Sequence, residues 1–221
     1  EAEQNVGESV MRGRDFKMTA AAFLYNLTGD TTYEADLLSA SVVTGSQSEI
    51  IKYNEFNQIY GVAGYLSTER PVNDLNAFNR MRDAVIHQAK QKEAGLSTSR
   101  LSRRASDTET GYFQTIQNVH RTLVAHAFTP DAGDRQDFHD ALVLEASWSL
   151  GRNPLNMIQM TTAATALEGM RSVENAFTSG QSDGTPGLHP GHTPYMNTDD
   201  WDPGMVMGRP SWMTDQSYPS F

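Results

Sequence analysis

The chain has 221 residues, 38% of them hydrophobic, enough for one substantial core or two small ones. A formal net charge of −10 and a pI near 5.0 argue against a phosphate-binding face, and no apolar run reaches the roughly 18 residues of a membrane span. The absence of cysteine removes disulfide scaffolds, thiolate metal sites and thiol nucleophiles.

Numbering opens at Glu1 without a starting Met, as expected of a mature or cut chain, for which export is one route. The first dozen residues are polar. From Asp15 the spacing turns helical, with Phe16, Ala20, Phe23, Leu24 and Leu27 on one stripe and Gly29 placed to end the helix. Asn26-Leu27-Thr28 also fits a glycosylation acceptor. Asp30 or Thr31 can cap a second helix carrying Tyr33, Leu37 and Ala40, and so short a link predicts an antiparallel pair. Gly45 to Ser48 marks a turn. Phe56, Ile59, Tyr60, Ala63 and Leu66 form a third face, on which Gly61 and Gly64 allow a neighbour close approach.

Pro71 suits the first turn of a fourth helix, whose Leu75, Phe78, Met81, Val85 and Ala89 keep the spacing until Gly95. Residues 96 to 110 read as a polar connector with Arg100, Arg103 and Arg104 solvated. A fifth helix is predicted over 112–127 through Phe113, Ile116 and Leu123, and a sixth over 137–150 after the turn Thr129-Pro130-Asp131-Ala132-Gly133-Asp134. Ala141, Leu144 and Trp148 share a face of the sixth, which Gly151 and Pro154 stop. One more helix is expected within 157–174, around Ala163, Ala164, Ala166 and Leu167. Residues 179–221 are rich in Gly, Pro, Asp, Trp and Tyr, a long loop of the functional kind. No strand alternation stands out. Antiparallel helices in succession predict an all-α fold, a bundle or part of an α/α barrel, in a single domain over 1–221.

Leu150-Gly151-Arg152-Asn153-Pro154-Leu155, followed by Gly187-Leu188-His189-Pro190-Gly191-His192-Thr193-Pro194-Tyr195, resembles the corresponding segments of family-nine glycoside hydrolases, cellulase-type enzymes built on an (α/α)6 barrel. Leu27-Thr28-Gly29-Asp30 resembles a helix-ending pattern of the same barrels. The resemblance spans most of the chain but only about the C-terminal half of such a domain. It implies an inverting two-carboxylate hydrolase of a β-glucan such as cellulose, with 179–221 forming a rim at the substrate cleft. It further implies a secreted or periplasmic location, no cofactor, and packing against a missing barrel half or further copies of the chain.

His189, His192, Tyr195, Asn197, Asp199, Asp200, Trp201 and Trp212 suit a sugar, whose hydroxyls take polar contacts and whose C–H faces stack on aromatics. The family pattern has a His and an Arg where this chain carries Gly191 and Thr193. His189 and His192 lack an obvious third ligand, so no metal centre is expected there. Asp131-Ala132-Gly133-Asp134 matches the letters of the family's general-base motif, making Asp131 and Asp134 catalytic candidates, but it sits directly before the sixth helix, where a capping turn is the ordinary reading. No Glu follows Trp201 to serve as the family's general acid, and Glu145, Glu168 and Glu174 read as surface or helix-end charges. The alternative is a non-catalytic glycan-binding or structural assembly protein derived from the fold. A helical polysaccharide lyase using Tyr195 and His192 is a further reading. Ten Met residues read as flexible packing.

Overall fold

The computed structural model describes residues 12–52, 55–100, 119–150, 152, 157–158 and 171–172. They are mostly helical, in the order α1 (Gly13–Thr28), α2 (Thr31–Ala40), β1 (Ile51–Lys52), β2 (Phe56–Asn57), α3 (Ile59–Leu66), α4 (Leu75–Gln88), a π-helical turn (Ala89–Glu93), α5 (Ala94–Ser99), α6 (His120–Phe128), α7 (Ala132–Ser149), β3 (Met157–Ile158) and β4 (Arg171–Ser172). The fold class is all-α. The strands are two-residue ribbons: β1 pairs antiparallel with β2, and β3 pairs parallel with β4. Of the stretch 157–174, where one more helix is expected around Ala163, Ala164, Ala166 and Leu167, only the ribbon residues 157–158 and 171–172 are described, and the centre of that helix lies outside the described residues. The chain divides into two compact units, Glu1–Leu96 with His120–Asp140 and Ser97–Val119 with Ala141–Phe221.

In the first unit α1 ends as its sequence predicts. Gly29 takes φ 74°, a left-handed position suited to glycine, and its N–H donates to the Tyr25 carbonyl. Asp30 then caps α2 by accepting from the Thr32 N–H at 2.9 Å. Arg70 reaches back to the same helix end, donating to the Asn26 carbonyl at 3.0 Å and the Leu27 carbonyl at 2.8 Å. The Asn26 amide donates to the Gly64 carbonyl at 2.7 Å, so this side chain ties α1 to α3 instead of standing free as a glycan acceptor.

The buried face of α1 is the reverse of the predicted one. Asp15, Met18, Ala21, Ala22 and Tyr25 are buried, while Phe16, Phe23, Leu24 and Leu27 are 44%, 53%, 38% and 74% exposed. Gly61 and Gly64 of α3 supply the reason, because they do admit a neighbour closely. A Cβ at Gly61 would lie 2.8 Å from Met18 Cγ, and one at Gly64 would lie 3.2 Å from the Ala22 methyl. α3 therefore lies close along the Met18–Ala22 side, and tight packing outweighs the larger side chains opposite. The core that results joins Met18, Ala22, Tyr25, Leu37, Ile50, Ile59, Val62, Tyr65, Met81 and Val85. Tyr60 is exposed and Ala63 half-buried, so the face expected for α3 is also rotated.

α4 starts later than Pro71 suggests. Asp74 is its N-cap, accepting from the Ala77 N–H at 2.9 Å, and Leu75 is left 62% exposed. The Pro71 carbonyl instead accepts the Tyr25 hydroxyl. Beyond Gln88 the helix widens into the π turn and continues as α5 to Ser99, so helix persists into the stretch read as a polar connector. A Cβ at Gly95 would collide with the Lys90 carbonyl oxygen, which marks Gly95 as the residue that lets this turn widen. α7 begins directly after Asp131, five residues before the expected start.

In the second unit the end of α7 is closed by Arg152. Its N–H donates to the Ser147 carbonyl at 2.9 Å and its guanidinium to the Leu144 carbonyl at 2.8 Å, satisfying carbonyls that a helix end leaves bare. Glu145 is 0% exposed, which corrects its reading as a surface charge. Trp148's side chain and residues 151 and 154 lie outside the described set.

Met18→Ala should lower the unfolding free energy by about 2–5 kcal/mol, the range for truncating a buried large side chain, whereas Leu27→Ala should change it by less than about 0.5 kcal/mol. Urea denaturation of both variants checks the assignment of faces, and a reversed order of the two costs would refute it.

Candidate functional site

Of the residues singled out by sequence, Asp131 and Asp134 are described; His189, His192, Tyr195, Asn197, Asp199, Asp200, Trp201 and Trp212 lie outside the described residues. Both aspartates line an open cleft of about 460 Å³ in the first unit. One wall is a face of α4 and the π turn, where Asp83, Ile86, His87 and Lys90 recur at helical steps of three and four. The other is the turn into α7, with Thr129 and Pro130, and the loop residues Ser46 and Gln47 complete the lining.

Bonding at this cleft defines what the aspartates do. Asp131 Oδ1 accepts from the Asp134 N–H at 2.8 Å, the N-cap bond of α7. Asp131's own N–H donates to Thr129 Oγ1 at 3.3 Å, and Arg135 donates to the Thr129 carbonyl at 2.6 Å, so the whole turn is cross-tied. Asp134 Oδ1 pairs with Lys90 Nζ at 2.6 Å, joining the π turn to the first turn of α7. An acidic residue there also meets the positive end of the helix dipole. Asp83 Oδ1 is taken by the neighbouring Arg82 guanidinium at 3.1 Å. The cleft offers donors and acceptors of both signs to a polar ligand. Each of its three carboxylates already carries a structural bond.

Deeper in the unit lie two buried carboxylates that sequence reading passes over. Glu34, 2% exposed, accepts from the Tyr65 hydroxyl at 2.6 Å, from the Asn73 N–H at 3.0 Å and from the Asn73 amide. Burial, reinforced by this bond, pushes the Tyr65 phenol far above its usual range. Glu93, also 2% exposed, accepts from Arg121 Nη1 at 3.0 Å and from the Thr122 N–H and hydroxyl at 2.7 and 2.8 Å. Burial raises Glu93 above the ordinary carboxylate range, while Arg121 and Thr122 pull it back. Arg121 reaches on to Gln88 Oε1 and the Ile51 carbonyl. These side chains hold elements together. An acid at an apolar face of a predicted helix (Glu34 beside Leu37 and Leu38) is the one signal that points to them.

Asp131→Ala should lower the unfolding free energy by about 1 kcal/mol, and Asp131→Ser should recover most of it, as expected for an N-cap. Lys90→Ala should cost at most about 1 kcal/mol, since its ion pair is partly solvated. Thermal and urea unfolding of the three variants checks these values, and an Asp131→Ala chain as stable as the wild type would remove the capping role.

Comparison with known proteins adds no assignment: no protein-family model matches the chain, and neither does any curated protein.

Proposed function

We propose that the chain is part of a family-nine-type glycoside hydrolase that acts on a β-glucan by inverting two-carboxylate hydrolysis. In this reading it forms part of an (α/α)6 barrel and supplies sugar-contacting rim residues, not the acids. His189, His192, Tyr195, Asp199, Asp200, Trp201 and Trp212 are its contact set, and the rest of the barrel comes from a further segment or a further copy. Such an enzyme works on extracellular polysaccharide, so a secreted or periplasmic location goes with it.

The observation that supports the reading is the sequence segment Leu150–Leu155, which begins just after α7 ends at Ser149, followed in order along the chain by the His-, Trp- and Tyr-rich stretch. Arg152 gives that segment a physical role as the clasp of the helix end. A second reading, a glycan-binding protein without catalysis, is favoured by the bonding of Asp131 and Asp134. The first caps a helix and the second holds Lys90, so neither stands ready as a catalytic acid or base.

The purified chain is expected to release no reducing sugar from a soluble β-glucan. It is expected to bind cello-oligosaccharides in calorimetric titration, with Trp201→Ala weakening binding about tenfold, or roughly 1.4 kcal/mol. Reducing-sugar release by the chain alone would overturn the non-catalytic part. A folded chain that gives no heat with any cello-oligosaccharide would overturn the sugar contact.

A further inference from the structure

α1 carries a seam on each of two opposite sides. Asp15, Met18, Ala22 and Tyr25 recur at steps of three and four on the buried side, and the helix packs on α2 and α3. Phe16, Ala20, Phe23 and Leu27 recur at steps of four, three and four on the other side, and all four are exposed, Leu27 the most. A four–three alternation of this kind is the seam of a helix that meets one further helix, knobs into holes. Leu24, also exposed, widens the seam by one knob. No charged side chain interrupts it, and Lys17 beside it is paired with Asp36 of α2 at 2.9 Å.

We propose that this outer seam docks a second copy of the chain, α1 against α1, antiparallel about a two-fold axis that crosses the helix between Ala21 and Ala22. Ala20 then faces the partner's Phe23, Phe16 faces the partner's Leu27, and the axis repeats both layers. The small side chain of Ala20 leaves the space that a phenyl ring fills, as an interdigitating core requires. A slip by one heptad strands part of the seam. A parallel pairing sets alanine on alanine between two phenylalanine layers and leaves a void there. Antiparallel helices also bring opposite dipole ends together. Counting about 150–250 Å² for a whole aromatic side chain, Phe16 and Phe23 leave roughly 200 Å² in water between them. Even with Leu24 and Leu27 the seam falls short of the about 800 Å² per partner of a standard interface, so the dimer is weak and reversible, with a Kd of about 10–100 μM. The net charge of −10 opposes the approach of two copies, and salt screens that repulsion. The inference stands on α1 alone and does not depend on the sugar-contact reading.

Sedimentation equilibrium of the full chain over a concentration series should show a monomer–dimer equilibrium that tightens as NaCl rises from about 0.05 to 0.5 M. Ala20→Glu and Leu27→Lys replace exposed side chains, so helix content should stay at the parent's level while the Kd rises at least about tenfold. Single cysteines read the register, since the chain has none of its own. With a short bis-maleimide, a mixture of Phe16→Cys and Leu27→Cys chains should cross-link. Leu27→Cys chains alone should not, because the two copies of residue 27 stand about 16 Å apart along the helix axis. A chain monomeric across the series, a dimer loosened by salt, a Kd left unchanged by either substitution, or self-linking by Leu27→Cys in place of the mixed product would overturn the proposal. So would a monomer whose binding to phosphatidylcholine vesicles is lost in Leu27→Lys, which would give the seam to a membrane surface.

Discussion

A carboxylate taken out of water must be met by protein donors, and that requirement at Glu34 governs the first unit. Glu34 projects from α2, yet the groups that satisfy it come from α3 (Tyr65) and from the stretch leading into α4 (Asn73). Three segments must therefore arrive together before any of them is at low energy. Tyr25 strengthens the same junction from α1, with its hydroxyl on the Pro71 carbonyl and its ring in the core. Tyr65 stacks edge-on against Phe78 of α4, so the polar knot and the apolar core share residues. Cores made only of Leu, Met and Ala tolerate sliding; one directional bond set inside them fixes a single arrangement.

Glu93 repeats the device at the other side of the unit. It sits at the end of the π turn, and its partners Arg121 and Thr122 open α6. Arg121 then links Gln88 and the β1 backbone, so one guanidinium joins α4, the ribbon and α6. Widening the helix at Ala89–Glu93 shifts the rotation of α5 relative to α4, and it sets Lys90 toward Asp134. The π turn thus contributes Lys90 to the cleft beside Asp131, and a Cβ at Gly95 would collide with the Lys90 carbonyl oxygen.

Local signals in the sequence are legible where the cause is local. Gly29 and Asp30 punctuate α1 and α2 as their chemistry dictates, and Asp131 caps α7. The all-α class follows from spacing alone. The orientation of α1 does not, because the helix is apolar on both sides and only its neighbours decide which side turns inward. The decisive residues are the glycines of α3, visible in the sequence as places of close approach but silent about which helix approaches. The start of α4 is ambiguous because Pro71 and Asp74 both suit a helix start, and Pro71's carbonyl is claimed by a tyrosine 46 residues away. Glu34, Glu93 and Glu145 escape a reading of the sequence for a similar reason: burial of an acid is settled by partners distant along the chain.

The candidate site shows the same division between local and distant causes. Asp131-Ala132-Gly133-Asp134 reads equally as a turn and as a catalytic motif, and letters cannot separate the two. Bonding can: Asp131 Oδ1 is taken by the Asp134 N–H as the cap of α7, and Asp134 Oδ1 by Lys90 Nζ. Inverting hydrolysis needs one carboxylate free to activate water and a second carboxyl group to protonate the leaving oxygen. Both aspartates are instead engaged in building the start of α7, an engagement set by a lysine 44 residues away that the four letters of the motif do not reveal.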